Sequence, residues 1–335
     1  MLPDVSNLYK QDQFFGRQVW GVVACLIAYI LLLTFAPTNA VGIVAQFAPV
    51  LLIVGSLYLV ICGYFNSTRS TKACHISDVF DSYSKSLTLW LALSLLLIGS
   101  HLVYVWSGEV LNHFYIGGLL PHSDAANYYS GARRLLVEGD LTNWSSRRPM
   151  MTVYIATLLG ITGFSLIKTI SIMAAIAALG IALTSAALRK TEPPVVALWA
   201  LLLMFLFYNG IAGTMLSENL GLALGCLAFV CLWAAAGNRR LLMFLAGVFL
   251  MTLAQITRSG AVLVLPLLIF WGAFWIASDI RTRMIVIIGG CTAIFLGFLL
   301  NKMLLMLGGG NTEIAFSNFS DTLYGLSVGS GWRQI

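Results

Sequence analysis

Charged side chains are concentrated in one stretch of this chain, between Gly108 and Pro149. Only 10% of all residues are charged, yet this stretch combines carboxylates, imidazoles and guanidinium groups. They include His113, His122, Asp124, Arg133, Arg134, Glu138, Asp140, Arg147 and Arg148. A carboxylate can accept a proton or bind a cation, and guanidinium groups bind phosphate in bidentate fashion. The stretch is therefore predicted to handle a polar ligand.

Within this stretch, residues 123–139 have the pattern of an amphipathic helix. Ser123 is the expected N-cap and Gly139 the expected C-cap. The predicted apolar face consists of Tyr128, Ala132, Leu135 and Leu136. The helix is expected to lie on a membrane surface with this face down, and with Arg133 and Arg134 near water or lipid headgroups.

Asp124 would occupy the first turn of that helix. The free N–H groups and the dipole at a helix N-terminus stabilise an ionised carboxylate. Asp124 could therefore accept a proton from a hydroxyl nucleophile or bind a cation. The alternative is that it only caps its helix. His113 and His122 could add a metal ligand.

The remainder of the chain is dominated by apolar segments. The 335 residues are 59% hydrophobic, with a mean hydropathy of +0.89, whereas a soluble domain has roughly 45–50% apolar residues. Apolar runs of ~17–25 residues match the thickness of a bilayer core. We therefore expect an all-α polytopic membrane protein. The net charge of +6 is attributed to basic residues that flank the helices, and no nucleic-acid partner is expected.

About nine apolar segments are predicted to cross the membrane, because each approaches the ~20 residues of a full span. They are Val19–Ala36, Ala40–Tyr64, Leu87–Ser107, Ser165–Leu188, Pro193–Asn209, Thr214–Ala236, Leu241–Thr257, Gly260–Ser278 and Met284–Leu307. Basic turns follow at Arg189-Lys190, Arg239-Arg240 and Arg281/Arg283. Two apolar segments separate each turn from the next, so all three are assigned to the cytoplasmic side.

The same parity assigns the charged stretch to the outer side of the membrane. Two apolar segments lie between it and Arg189, but only an odd number of crossings is allowed. Met150–Gly163 is short for a full span of ~20 residues. It is therefore interpreted as a re-entrant, half-depth or juxtamembrane helix.

Four charged residues fall at the outer ends of predicted membrane segments. Arg147 and Arg148 stand where the chain re-enters the membrane from the outer side, although positive charges are usually concentrated on the cytoplasmic side. Phosphate is their best geometric partner. Contact with lipid headgroups is the alternative. Glu218 begins the span after an outer turn, and a carboxylate there is costly unless it caps its helix or has a function. Arg258 ends its span on the same side, where snorkelling is the alternative.

The parity argument thus brings Asp124, Arg147, Arg148, Glu218 and Arg258 to one outer level of the membrane. Two carboxylates and three guanidinium groups suggest a site for a lipid-linked phosphate and a hydroxyl or amine acceptor.

Several short motifs resemble the GT-C glycosyltransferases, which include protein O-mannosyltransferases and the lipid A aminoarabinose transferase. The residues 123–129, followed by Arg148-Pro149, resemble the first outer loop of that family. Residues 216–219 resemble its second acidic position, and the stretch from Gly247 to Arg258 resembles a later segment of the family. The similarity covers Leu119 to Pro266, about half of the chain.

This resemblance implies a polyprenyl-phosphate sugar donor, inverting transfer at the outer face of the membrane and, in some members, a divalent metal. Asp124 would be the catalytic base or a metal-side carboxylate, and Glu218 the second acidic residue. Arg147, Arg148 and Arg258 would hold the donor phosphate. His122 and Tyr128 are additional candidates for the site, and Asp124, Glu218 and His122 are the candidates for metal binding. The acceptor, whether glycan, lipid or protein, stays open.

The expected organisation has four segments in an inner or plasma membrane. Residues 1–107 form an N-terminal three-helix membrane segment, and 108–149 an outer catalytic loop that faces the outside or the periplasm. Residues 150–307 form a GT-C-like membrane core. Residues 308–335 form an outer tail, expected to belong to a fragment or to precede a missing outer domain.

Two other functions are alternatives to the transferase. A transporter or flippase of a lipid-linked saccharide would need polar residues through the middle of its spans. Apart from Gln46, His101 and Gln255 the spans have few of them. A non-catalytic membrane scaffold would leave the charged stretch without a purpose.

Overall fold

The computed structural model describes residues 5–36, 38–68, 80–108, 112–258 and 263–314, together with residues 324, 327 and 328. About 80% of the chain is helical, as the all-α prediction requires. Most of the predicted outer tail 308–335 lies outside the described residues.

The main helices and the two strands follow one another along the chain. They are α1 (Val5–Phe35), α2 (Thr38–Thr68), α3 (Leu87–Trp106), β1 (Tyr115–Ile116), β2 (Leu120–Pro121), α4 (Asp124–Glu138), α5 (Asn143–Ser146), α6 (Pro149–Ile161), α7 (Leu166–Arg189), α8 (Pro194–Asn209), α9 (Ser217–Asn238), α10 (Leu241–Thr257), α11 (Val264–Trp275) and α12 (Ile280–Leu307). The strands form a small antiparallel hairpin in which Ile116 pairs with Leu120.

Six helices in the described part of the chain are long and apolar enough to cross a membrane: α1, α2, α3, α7, α9 and α12. Helices also occupy the other three predicted spans. However, α8, α10 and α11 have only 16, 17 and 12 residues, fewer than the ~20 of a full span. The chain thus has the helices of a membrane-embedded protein, but the predicted number of nine spans is not confirmed. The start of the predicted span Gly260–Ser278 lies outside the described residues.

The chain divides into two compact units, each assembled from two stretches. The first contains Met1–Val110 and Ala174–Ala212, and the second contains Leu111–Met173 and Gly213–Ile335. In the first unit, α3 packs against α1, α2 and α8. The second unit contains every candidate site residue named from the sequence.

In the second unit, α4 and α6 lie side by side and run in the same direction. A Cβ built on Gly131 of α4 would lie 3.6 Å from Cγ2 of Thr152, and one built on Gly160 of α6 would lie 3.6 Å from Cδ2 of Leu136. Helix α6 has 13 residues, a length of about 20 Å, against a bilayer core of about 30 Å. Helix α6 is thus shorter than a full membrane span, as predicted for this segment.

The amphipathic prediction for α4 is correct for most of its length. Tyr128 and Ala132 are buried, while Leu136 is 39% exposed, so the predicted apolar face ends before it. Gly139 caps the C-terminus in the left-handed conformation, with φ of 83°. Ser123 is at the N-cap position, as predicted, although its side chain makes no capping hydrogen bond.

Small residues bring α9, α10 and α12 close together. A Cβ on Gly247 of α10 would lie 2.7 Å from Cγ of Leu232 on α9, and a Cβ on Gly297 of α12 would lie 2.6 Å from Cγ2 of Thr252 on α10. Glycine at such contacts lets the helix backbones approach one another in a membrane protein. Since α9 and α10 are consecutive and antiparallel, the start of α9 meets the end of α10.

Gly131→Ala is expected to destabilise the protein, because its new methyl group would overlap with Oγ of the buried Ser145. Such overpacking costs roughly 1–3 kcal/mol and should lower the midpoint of thermal unfolding in detergent. Gly225→Ala on α9 is the matched control, because a Cβ there meets nothing within 4 Å. Equal midpoints for both variants would contradict the close packing of α4 on α5.

Candidate functional site

The site is centred on the guanidinium group of Arg148, the residue that precedes α6. Its Nη1 donates to Tyr128 Oη on α4 and to Ser217 Oγ at the start of α9, each at 3.1 Å. Arg148 precedes Pro149 at the first position of α6, where a missing N–H does no harm to the helix. One side chain therefore connects α4 and α6 to α9, which lies much later in the sequence.

The polar contacts continue from Ser217 to the two other predicted residues of α9 and α10. Ser217 Oγ donates to Glu218 Oε2 at 3.2 Å, and Glu218 Oε1 lies 3.2 Å from Arg258 Nη2. The side chain of Glu218 is 18% exposed and that of Arg258 is 50% exposed. A continuous chain of contacts thus joins Tyr128, Arg148, Ser217, Glu218 and Arg258. We call these five residues the arginine–carboxylate network.

The local sequence explains why Glu218 and Arg258 meet. Asn219 is buried, and its Nδ2 donates to the backbone oxygens of Thr214 and Leu216 at 3.0 and 3.2 Å, which fixes the turn before α9. Gly221 lies one turn into α9, and a Cβ built on it would lie 3.4 Å from Cβ of Arg258. A larger residue at Gly221 would crowd the base of the arginine side chain.

The charges of this network are not balanced within the part of the chain that the structure describes. Arg258 forms an ion pair with Glu218. Arg148, in contrast, has no carboxylate within 4.0 Å among the described residues, and its Nε is buried with no hydrogen-bond partner there. A half-buried cation held only by neutral hydroxyl groups is costly. The arrangement favours the approach of an anion to Arg148.

Arg147 lies directly before Arg148, at the C-cap of the short helix α5. Its side chain is half-buried. The residues that follow α12 also form hydrogen bonds with the segment that precedes the two arginines. There the backbone N–H of Asn311 donates to Ser146 Oγ at 3.0 Å, and that of Leu141 donates to the oxygen of Gly308 at 2.6 Å.

Asp124 is exposed at the first position of α4. It lies four residues before Tyr128, a rise of about 6 Å on the same side of the helix. Within the described residues no hydrogen bond or ion pair engages its carboxylate. The preceding residue, Ser123, has φ of 55°, a conformation that is strained for a residue other than glycine. Asp124 is therefore close to the arginine–carboxylate network in the fold but is not bonded to it.

The two histidines flank the β1–β2 hairpin, which precedes α4. His122 Nδ1 is 2.9 Å from the backbone oxygen of His113, and the two rings are 5.7 Å apart. A carbonyl can only accept, so the proton of this contact is on Nδ1. Across the residues described, no three His, Cys, Asp or Glu side chains are close enough to share a metal ion. The candidates His122, Asp124 and Glu218 form no such group, so the divalent metal stays a prediction.

Every member of the arginine–carboxylate network except Ser217 was predicted from the sequence as a site residue. A serine next to a functional glutamate carries no distinctive signal, because its role depends on which side chain packs against it. Comparisons of the chain with models of known protein families, with curated proteins and with solved structures found no match. The resemblance to GT-C glycosyltransferases therefore stays a prediction from short motifs.

Ser217→Ala should destabilise the protein, because this hydroxyl both accepts from Arg148 and donates to Glu218. Loss of a hydrogen bond to a charged group costs about 1.5–3 kcal/mol, measurable as a lower unfolding midpoint. The control is Ser130→Ala, where the exposed hydroxyl bonds the backbone oxygen of Asn127 at 3.2 Å and the change should stay within about 0.5 kcal/mol. Unchanged unfolding midpoints for both variants would contradict the bridging role of Ser217.

Proposed function

We propose that this protein is a GT-C-type membrane glycosyltransferase. It moves a sugar from a polyprenyl-phosphate donor to an acceptor at the outer face of a cell membrane. Asp124 serves as the base or as a metal-side carboxylate, and Glu218 is the second acidic residue. Arg147, Arg148 and Arg258 hold the donor phosphate.

The observation that carries this proposal is the guanidinium group of Arg148. It is half-buried, it is held by the hydroxyls of Tyr128 and Ser217, and among the described residues it has no carboxylate partner. Guanidinium groups match the geometry of a phosphate oxygen pair. A lipid phosphate would supply the missing negative charge, while its hydrocarbon tail stays in the bilayer beside the apolar helices.

The chemistry then needs one bond to form and one to break. The bond between the anomeric carbon and the phosphate oxygen breaks, and its electron pair leaves with the polyprenyl phosphate. Arginines stabilise the negative charge that builds on this leaving group. The acceptor oxygen or nitrogen bonds the anomeric carbon, and Asp124 takes the proton that it loses. Exposure of the Asp124 carboxylate leaves it accessible to an acceptor from the aqueous side.

Glu218 has a different role in this scheme. Its carboxylate is already engaged by Arg258 on one oxygen and by Ser217 on the other. A carboxylate engaged on both oxygens orients its neighbours. We therefore assign proton transfer to Asp124 and the positioning of Arg148 and Arg258 to Glu218.

The transporter alternative has less support from the described spans. Two of the polar side chains noted there are paired with near neighbours: Gln46 Nε2 donates to Tyr104 Oη at 3.1 Å, and a ring nitrogen of His101 lies 3.2 Å from the backbone oxygen of Asn209. Such pairing satisfies polar groups inside a membrane helix bundle and accounts for both residues without a transport path.

Asp124→Asn is expected to reduce sugar transfer by about 10²–10⁴-fold, the usual contribution of a general base, while donor binding is retained. The assay uses purified protein in lipid, a panel of polyprenyl-phosphate-linked hexoses and pentoses, and detection of the released polyprenyl phosphate. Asp140→Asn, an exposed acid of the same stretch, is the matched control and should transfer at the unmodified rate.

Two results would count against this proposal. Unchanged transfer by Asp124→Asn would remove Asp124 from the role of base. Failure of the unmodified protein to bind any donor of the panel would contradict the proposed transferase activity.

A further inference from the structure

Four arginines gather at the opposite ends of α9, α10 and α12 from the arginine–carboxylate network. Arg239 and Arg240 form the turn between α9 and α10, while Arg281 and Arg283 lie in the first turn of α12. Helix α10 separates Arg240 from Arg258 by about 26 Å. The four arginines are therefore not part of the proposed transfer site.

Direct contacts show that the two arginine pairs lie at one end of the bundle. Trp275 Nε1, at the end of α11, donates to the backbone oxygen of Ala236 near the end of α9 at 3.2 Å. Buried side chains beneath this end form one apolar cluster shared by α9, α10, α11 and α12, including Ala235, Phe244 and Ile276. The two basic turns are thus fixed next to each other.

The positive charge at this end has little compensation in the described part of the chain. No carboxylate lies within ion-pair distance of any of these four arginines there, and Arg239, Arg240 and Arg281 are exposed. The neighbouring acid, Asp279, is the N-cap of α12. Its carboxylate accepts from the backbone N–H of Thr282 at 3.1 Å and from the Thr282 hydroxyl at 2.6 Å. These bonds lower the pKa of Asp279, so it is ionised but already occupied.

Aromatic rings accompany the arginines. Trp275 and Phe274 are 55% and 60% exposed, and the guanidinium of Arg283 lies 5.0 Å from the centre of the Phe274 ring. Arg283 Nε also donates to the backbone oxygen of Ala273 at 3.2 Å. Exposed rings next to cations are typical of a protein surface at the level of lipid headgroups.

We infer that this basic end is a binding surface for anionic membrane phospholipids. The phosphate groups of the lipids would face Arg239, Arg240 and Arg281, and their acyl chains would lie against Phe274 and Trp275. Guanidinium groups bind phosphate more specifically than an ammonium group does, and clusters of basic residues at a membrane helix end recognise anionic headgroups. This inference does not depend on the proposed glycosyl transfer.

The test measures lipid binding to the purified full chain by native mass spectrometry and by the rise in unfolding temperature with added lipid. Phosphatidylglycerol and cardiolipin are compared with phosphatidylcholine and with inorganic phosphate. The variant R239Q/R240Q removes two exposed cations and leaves Arg283 with its packing contacts. Its matched control, K168Q/K302Q, removes two exposed cations elsewhere in the same unit.

The unmodified protein should retain the anionic lipids in preference to phosphatidylcholine, and inorganic phosphate alone should not raise the unfolding temperature. Each arginine near a charged surface contributes a factor of about five, so R239Q/R240Q should weaken anionic-lipid binding roughly twenty-five-fold. Adding R281Q should weaken it further, whereas K168Q/K302Q should change it little. Equal retention of anionic and zwitterionic lipid, or equal losses in R239Q/R240Q and K168Q/K302Q, would overturn the assignment.

Discussion

The two hydrogen bonds that Arg148 donates to Tyr128 and Ser217 join α4, α6 and α9 through one guanidinium group. Helix α9 lies far from α4 and α6 in the sequence. Neutral hydroxyl groups orient a guanidinium but do not cancel its charge. A half-buried cation without a carboxylate among the described residues is therefore poised for an anionic ligand.

This constraint accounts for the surrounding structure. Pro149 starts α6 immediately after the arginine, and the parallel packing of α4 on α6 keeps Tyr128 above it. The ion pair of Glu218 with Arg258 neutralises the neighbouring carboxylate, so that it does not compete for Arg148. Asp124 stays outside these bonds and exposed, which agrees with its role as proton acceptor in the proposed transfer.

Hydropathy and basic turns were sufficient to find the helices and to bring Arg148, Glu218 and Arg258 to one site, because the ends of apolar segments fix which residues share a level. The predicted span Gly260–Ser278 runs past the end of α11 at Trp275, since the next two residues, Ile276 and Ala277, are also apolar. Ser217 could not be found, because its role arises only when Arg148 packs against it. The N-cap of α4 was predicted correctly at Ser123, but the strained backbone of this residue could not be predicted from composition.

Equilibrium binding of a sugar-free polyprenyl phosphate to the purified protein is the most direct measurement of the central claim. Arg148→Gln keeps a hydrogen-bonding side chain but removes the charge, so it should weaken binding at least about tenfold, as expected for a lost charge-assisted hydrogen bond. Lys302→Gln, at an exposed lysine of α12, should bind as the unmodified protein does. Equal affinity of Arg148→Gln and the unmodified protein would contradict an anion site at this arginine.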